Sequence, residues 1–128
     1  MAERYGNVWM AILRAVLLAP ILETIYLVFL LIIIKFVILK SLQDRRPAWK
    51  DFINKRSNLI AALICGIIAT ILHSHSGDWG VHGGLFFIYL SFLYFTLSEK
   101  SPYSAMLSLV ALHAIWNAVA IVINVIRA

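Results

Sequence analysis

Residues 8–39 form one long apolar run that contains only three charged side chains, Arg14, Glu23 and Lys35. As a straight helix the run would be about 50 Å long, well beyond the ~30 Å hydrocarbon core of a bilayer. It must therefore tilt, bend or break. We expect the irregularity near Pro20, because proline removes a backbone donor and its ring clashes with the preceding turn.

Three further apolar stretches follow, at about 58–72, 85–97 and 103–125, and Ser101 or Ser104 is a candidate cap for the last of them. With 62% hydrophobic residues and a mean hydropathy of +0.91, the 128-residue chain is far more apolar than a soluble domain. The sequence predicts an all-α integral membrane protein, a single domain over 1–128 built as a bundle of about four transmembrane helices.

Positive charge is concentrated between the first two apolar stretches. The positive-inside rule predicts that this segment, 40–57, is a cytoplasmic loop, and we expect the plasma membrane as the location. Anionic lipids are its expected partners. Nucleic acid is not, because no basic stripe with interleaved aromatic residues occurs. Six of the eleven basic residues lie in this segment: Lys40, Arg45, Arg46, Lys50, Lys55 and Arg56.

Glu23 lies in the otherwise almost wholly apolar stretch LLAPILETIY. An unpaired carboxylate in hydrocarbon is costly, so an intramembrane acid usually faces the bundle interior and a partner. Arg14 and Lys35 are possible ion-pair partners, although neither lies on an adjacent helical turn. We therefore expect Glu23 to have a partner, and the alternative is a carboxylate that is simply hydrated near the interface.

His113 and Asn117, in LHAIWN, are four residues apart and share one helix face. Two donors fixed in a dry site could stabilise a developing oxyanion. They could equally supply hydrogen bonds between helices, and the spacing alone does not decide between these uses.

The segment HSHSGDWGVHGG carries His73, His75, Asp78 and His82, which resemble a metal-ligand set. Residues two apart on a helix point about 200° apart, so His73 and His75 do not both face the bundle. We expect His73 to face inward, and His75 and His82 to lie in a loop at the membrane surface. A cysteine-based metal site is excluded, because Cys65 is the only cysteine.

Counting at 1.5 Å per residue from the basic end of each helix gives the depth of the polar residues. Glu23 lies about 25 Å along its helix, His73 about 24 Å, and His113 and Asn117 about 15 to 21 Å. Three helices therefore carry polar groups to a similar level of the membrane.

Three motifs resemble those of the CPBP family of intramembrane proteases, the group that contains the CAAX prenyl endopeptidases and is often labelled Abi. They are APILET on the first helix, ATILHSHSG at the end of the second, and SAMLSLVALHAIWNAVAI on the fourth. The family patterns are APIxEExxxR, FxxxH, and HxxxN or HxxxD, in that order. The resemblance covers about residues 19–125, and LHAIWN is its most specific part.

The resemblance implies that Glu23 is the activating carboxylate, that His73 is the histidine of the second motif, and that His113 and Asn117 form the third. It departs from the family in three places. Thr24 replaces the second glutamate, Val28 the arginine, and Ala69 the phenylalanine.

The implied activity is hydrolysis of a peptide bond in a membrane-embedded or lipid-modified peptide or protein. Glu23 would be the general base for a water that His73 also holds, and His113 and Asn117 would bind the oxyanion. We favour a mechanism without a cofactor. The variant mechanism places a divalent metal such as zinc among Glu23, His73 and His113.

Two alternatives stay open. The first is a non-catalytic relative, such as an immunity protein, that binds or sequesters a membrane peptide; the loss of charge at Thr24 and Val28 favours it. The second is a small haem protein with His73 and His113 as axial ligands, which gives Glu23 no role.

Overall fold

Helical hydrogen bonding continues without a break through residues 2–45, which form helix α1. In this computed structural model, which describes residues 2–74 and 78–127, three more helices follow: α2 (Lys50–Leu72), α3 (Asp78–Ser98) and α4 (Pro102–Arg127). A short 3-10 turn, Pro47–Trp49, joins α1 to α2. No strand occurs within the described ranges.

Four segments are long and apolar enough to cross a membrane: Asn7–Arg45, Pro47–Leu72, Gly80–Ser98 and Pro102–Ile126. The prediction of an all-α chain with four such helices is confirmed, and their length and composition indicate an integral membrane protein. A helix suits this setting because it satisfies its backbone donors and acceptors within one segment, where lipid offers none.

The helices extend further into the polar segments than the apolar pattern predicts. Helix α1 reaches Arg45 and α2 begins at Lys50, so the basic segment 40–57 is mostly helical, and its prediction as a loop is wrong. Lysine, arginine and glutamine are good helix formers. Hydropathy marks where an apolar layer ends, whereas a helix can continue beyond that layer.

Helix α3 begins at Asp78, well before the expected start near Leu85. The expectation that His82 lies in a loop is therefore wrong, since it lies in the first turns of α3 with an exposed side chain. His75 is outside the described residues. Glycines within 80–84 suggest a loop by propensity, but here they allow close packing against α2.

Helix α1 is not broken at Pro20. A π-helical turn, Arg14–Leu18, comes just before the proline, which is itself buried. The wider turn accommodates the proline ring, which would clash with the backbone of a regular α-helix. The expected irregularity near Pro20 is thus a local change of hydrogen-bond register within a continuous helix.

Ser101 caps α4. The backbone N–H of Ser104 donates to Ser101 Oγ at 3.2 Å, and Pro102 follows as the first helical residue. Proline is favoured at that position because its missing N–H would have no partner there. Of the two candidate caps, the structure therefore selects Ser101.

The core lies where the four helices meet, and it is built almost entirely from aliphatic side chains. Because these residues come from every helix, the bundle forms one packed unit rather than separate hairpins. Its fully or nearly fully buried members are Leu27, Leu31, Ile34, Leu39, Ile53, Ala61, Cys65, Leu90 and Leu109.

Helices α2 and α3 approach each other closely through small residues. A Cβ atom added to Gly84 would collide with the side chain of Thr70 and lie 2.8 Å from the carbonyl oxygen of Gly66. A Cβ atom on Gly66 would in turn collide with Ile88. Small residues allow helix backbones to pack at short distance, which is a common arrangement in membrane bundles.

We expect Gly84→Ala to destabilise the protein by about 1–3 kcal/mol, because the added methyl group must push α2 and α3 apart. Gly83→Ala is the matched control, since its Cβ would meet only the His73 ring, at an ordinary 3.8 Å. Thermal unfolding of both variants in the same detergent measures the difference. Equal melting temperatures would contradict the close packing.

Candidate functional site

The four residues singled out in the sequence line one cavity of about 240 Å³. Glu23 comes from α1, His73 from the end of α2, and His113 and Asn117 from α4. Helix α3 completes the wall with Gly83, Phe86 and Phe87. Four separate parts of the chain therefore meet at this point.

Glu23 contacts His113, with 3.2 Å between Oε2 and Nε2. The Glu23 side chain is 37% exposed toward the cavity region, whereas that of His113 is only 3% exposed. Lys35, one of the two alternative partners, instead donates to Asn58 Oδ1 at 2.7 Å. The partner of the intramembrane carboxylate is thus a histidine on α4.

The His113 ring is held between two phenylalanines. The rings of Phe86 and Phe87 meet it edge-on, with centroids 5.4 Å and 5.5 Å away. Its Nδ1 atom is buried without a hydrogen-bond partner in the described part of the chain. A buried N–H without an acceptor is rarer than a buried acceptor without a donor, so we assign the proton to Nε2, which then donates to Glu23.

His73 ends α2, and its Nδ1 atom lies 2.8 Å from the carbonyl oxygen of Ala69. A carbonyl oxygen can only accept, so Nδ1 carries a proton, and in the neutral imidazole Nε2 is then the acceptor. The cavity therefore has two acceptor groups, the Glu23 carboxylate and His73 Nε2. Two acceptors at one cavity suit a water molecule, which has two hydrogens to donate.

Asn117 donates from Nδ2 to the carbonyl oxygen of Ala15 at 2.8 Å. The Ala15 carbonyl has no backbone donor within α1. The Ala19 N–H donates to Arg14 O in the π-helical register, and in the same register the donor to Ala15 would be Pro20, which has no N–H. Asn117 supplies the donor that the proline lacks, and it ties α4 to α1.

A second, apolar cavity of about 280 Å³ lies between α1 and α2. It shares three residues with the first, Glu23, His73 and Phe87, so the two cavities adjoin at the polar groups. Its remaining lining is aliphatic apart from one tyrosine and the single cysteine: Leu22, Tyr26, Leu27, Leu30, Cys65, Ile68, Ala69 and Leu72.

The metal variant would need Glu23, His73 and His113 as three ligands around one ion. Among the side chains that the structure describes, no group of three or more His, Cys, Asp or Glu is placed to hold a metal ion. Glu23 and His113 engage each other directly instead. We therefore derive no step through a metal.

The departures from the family pattern lie in the packed interior. Thr24 is fully buried and its hydroxyl has no partner among the described atoms, while Val28 packs against the core cluster. Ala69 is buried in α2, and its carbonyl orients His73. A carboxylate at position 24 or an arginine at position 28 would need space and polar partners that this core does not offer.

Sequence reasoning missed the aromatic wall and the Ala15 carbonyl. Trp116 stacks on Phe86 at a centroid distance of 4.8 Å, and Phe86 then contacts His113. The adjacent phenylalanines of GGLFFIY resemble any other apolar residues of a span, so no local signal marks them. The sequence does not locate the free carbonyl either, because a proline in a regular α-helix frees the carbonyl four residues before it, and only the π-helical register moves this position to Ala15.

No protein-family model, curated protein or solved structure matches the chain. What the protein does is therefore inferred from its own contacts and from the motif resemblance.

We expect Asn117→Ala to cost about 1–3 kcal/mol of stability, because it leaves the partly buried Ala15 carbonyl without its side-chain donor. In a Pro20→Ala background the new N–H can take over, so the cost of Asn117→Ala should fall by about 0.5 kcal/mol or more. Thermal unfolding of the two single variants and the double variant measures this coupling.

Asn124→Ala is the matched control, because Asn124 is an exposed asparagine on the same helix. Its loss should leave the melting temperature nearly unchanged. If the stability changes of Pro20→Ala and Asn117→Ala simply add in the double variant, Asn117 does not replace the donor that Pro20 lacks.

Proposed function

We propose that this protein is an intramembrane peptide hydrolase of the CPBP type, with Glu23 as the general base. The observation that carries the proposal is that Glu23, His73, His113 and Asn117 line one cavity although they come from three helices. A carboxylate, a basic imidazole nitrogen and amide and imidazole donors are the groups that peptide hydrolysis requires.

The catalysed step begins with a water held by the Glu23 carboxylate and His73 Nε2. Glu23 takes one proton of the water as its oxygen attacks the carbonyl carbon of the peptide. The tetrahedral intermediate collapses with cleavage of the C–N bond, and Glu23 returns the proton to the leaving amine. The water is consumed, one acid and one amine are formed, and the carboxylate is regenerated.

Asn117 and His113 are the donors for the oxyanion. The amide of Asn117 has two hydrogens, and Ala15 takes only one of them. The Nε2–H of His113 donates to Glu23 in the resting state. It becomes available to the oxyanion when the carboxylate has accepted a proton and lost its charge.

The adjoining apolar cavity indicates where an apolar part of the substrate would lie. It opens between α1 and α2 and reaches Glu23 and His73. An apolar side chain or attached lipid in this cavity would hold the scissile bond next to the base. The proposed substrate is a membrane-embedded or lipid-modified peptide. The proposed location is the plasma membrane, with the basic end of the bundle on the cytoplasmic side.

Glu23→Gln should lower cleavage at least a hundredfold, within the range of about 10²–10⁴ expected for loss of a general base. The assay does not require a known substrate. It compares the new N-termini of membrane proteins in cells that produce the wild type with those in cells that produce the variant. Glutamine can still accept from His113, so the bundle should keep its melting temperature. His73→Ala should likewise abolish the new termini.

Glu99→Gln is the matched control, because it makes the same change of charge at an exposed carboxylate in the turn before α4. Its set of termini should equal that of the wild type. Termini that persist in Glu23→Gln would remove Glu23 from the role of base. Termini that vanish when the wild type is treated with a chelator would instead support the metal variant.

The second candidate is a non-catalytic protein that binds a membrane peptide. It is favoured by the contacts of His113 and Asn117, which both go to groups of the protein itself, and by the packed, uncharged Thr24 and Val28. In this case the wild type produces no new termini, and Glu23→Gln leaves peptide binding intact.

The haem alternative has less support. The ring of Phe87 contacts both imidazoles, at centroid distances of 6.1 Å for His73 and 5.5 Å for His113, so a porphyrin between them would displace it. We expect the purified protein to show no Soret band, and an absorption spectrum tests this. A Soret band that is lost in His113→Ala would overturn the hydrolase proposal.

A further inference from the structure

Lys35 is a cation inside the longest candidate span, and the hydrolase proposal gives it no role. It lies on α1 between the buried core residues Leu31, Ile34 and Leu39 and is itself half-buried. It precedes Arg45 at the end of α1 by about 15 Å of helix. An ionisable group at such a place needs a partner.

The described contacts of Lys35 hold its ammonium group but do not neutralise it. Its Nζ donates to the amide oxygen of Asn58 at 2.7 Å and lies 4.9 Å from the centroid of Phe95. The ring of Phe36 is 5.7 Å away. An amide oxygen and two aromatic faces attract a cation but carry no net charge.

No carboxylate compensates this charge in the described part of the chain. The single ion-pair contact there joins Glu23 to His113. Glu99, in the turn between α3 and α4, is exposed and forms no ion pair with Lys35. The ammonium group has three hydrogens, and Asn58 takes one, so two remain for an anion.

A cavity of about 220 Å³ adjoins Lys35 between α1 and the α3–α4 turn. Tyr94 and Ser98, which carry hydroxyl groups, line it together with apolar side chains of α1 and α3. The Ser98 hydroxyl makes only a long 3.4 Å contact with Phe95 O, so it can turn toward a better acceptor. The cavity thus combines a cation, two hydroxyls and an apolar wall.

We propose that Lys35, Tyr94 and Ser98 form a binding site for the phosphate of an acidic phospholipid at the basic end of the bundle. The phosphodiester supplies the missing negative charge and accepts hydrogen bonds from the ammonium and hydroxyl groups. The glycerol and first methylene groups of the lipid pack on the apolar wall. Basic pockets between transmembrane helices bind lipid headgroups in this way.

The basic residues around this end of the bundle raise the local concentration of acidic lipid. Lys35 differs from them because it lies between helices rather than on an exposed surface. The surrounding charges attract many lipids weakly, whereas the cavity beside Lys35 has room for one headgroup. The site therefore predicts one retained lipid for each chain, independent of any hydrolase activity.

Native mass spectrometry of the detergent-purified protein with added phosphatidylglycerol tests the site. The wild type should retain one phosphatidylglycerol molecule per chain, and it should retain less phosphatidylcholine under the same conditions. Lys35→Met should weaken retention by more than the roughly fivefold expected for one surface lysine at an anionic membrane. Lys40→Met, which removes an exposed lysine on the same helix, should keep the retained lipid.

If Lys35→Met does not fold, the double variant Tyr94→Phe with Ser98→Ala still tests the site, because it leaves the Lys35–Asn58 bond in place. It should also lose retention. Equal losses in Lys35→Met and Lys40→Met would show general surface attraction and overturn the proposal. So would equal retention of phosphatidylcholine, or displacement of the lipid by inorganic phosphate at the same concentration.

Discussion

Hydrocarbon offers no hydrogen bonds, so each backbone donor and acceptor of a span must find its partner within the protein. Helices α1 to α4 satisfy this constraint along almost their whole length. Pro20 is the exception, because it cannot donate to the Ala15 carbonyl. Asn117 closes that gap from another helix. One missing N–H in α1 therefore determines a contact with α4, beside the candidate site.

The lack of polar partners in hydrocarbon also applies to the ionisable side chains Glu23 and Lys35, which lie within a candidate span. Glu23 has a partner on another helix, and the contact with His113 holds the carboxylate at the edge of a cavity. Lys35 has a neutral partner, Asn58, and no carboxylate pairs with it among the described side chains. Glu23 is therefore paired inside the bundle, whereas the proposed partner of Lys35 is an anion from outside it.

The sequence predicted the four helices well, because apolar runs of sufficient length have few other uses. The depth count also brought Glu23, His73, His113 and Asn117 to one level, and they line one cavity. Helix ends were predicted less well, because hydropathy follows the apolar layer while hydrogen bonding decides where a helix stops. The sequence predicts only that Asn117 can donate between helices or to an oxyanion, because its acceptor depends on a π-helical register that no residue pattern displays.

The cavity is lined by residues that offer acceptors and by residues that offer donors. Glu23 accepts a hydrogen bond, and so can Nε2 of neutral His73, because its Nδ1 donates to the Ala69 carbonyl. Asn117 and His113 donate. A site that only ties helices together needs each acceptor matched to a donor, yet His73 Nε2 has no such match in the described contacts. An acceptor pair beside an apolar cavity can hold a water next to an apolar ligand, which is the arrangement that the proposed hydrolase would use.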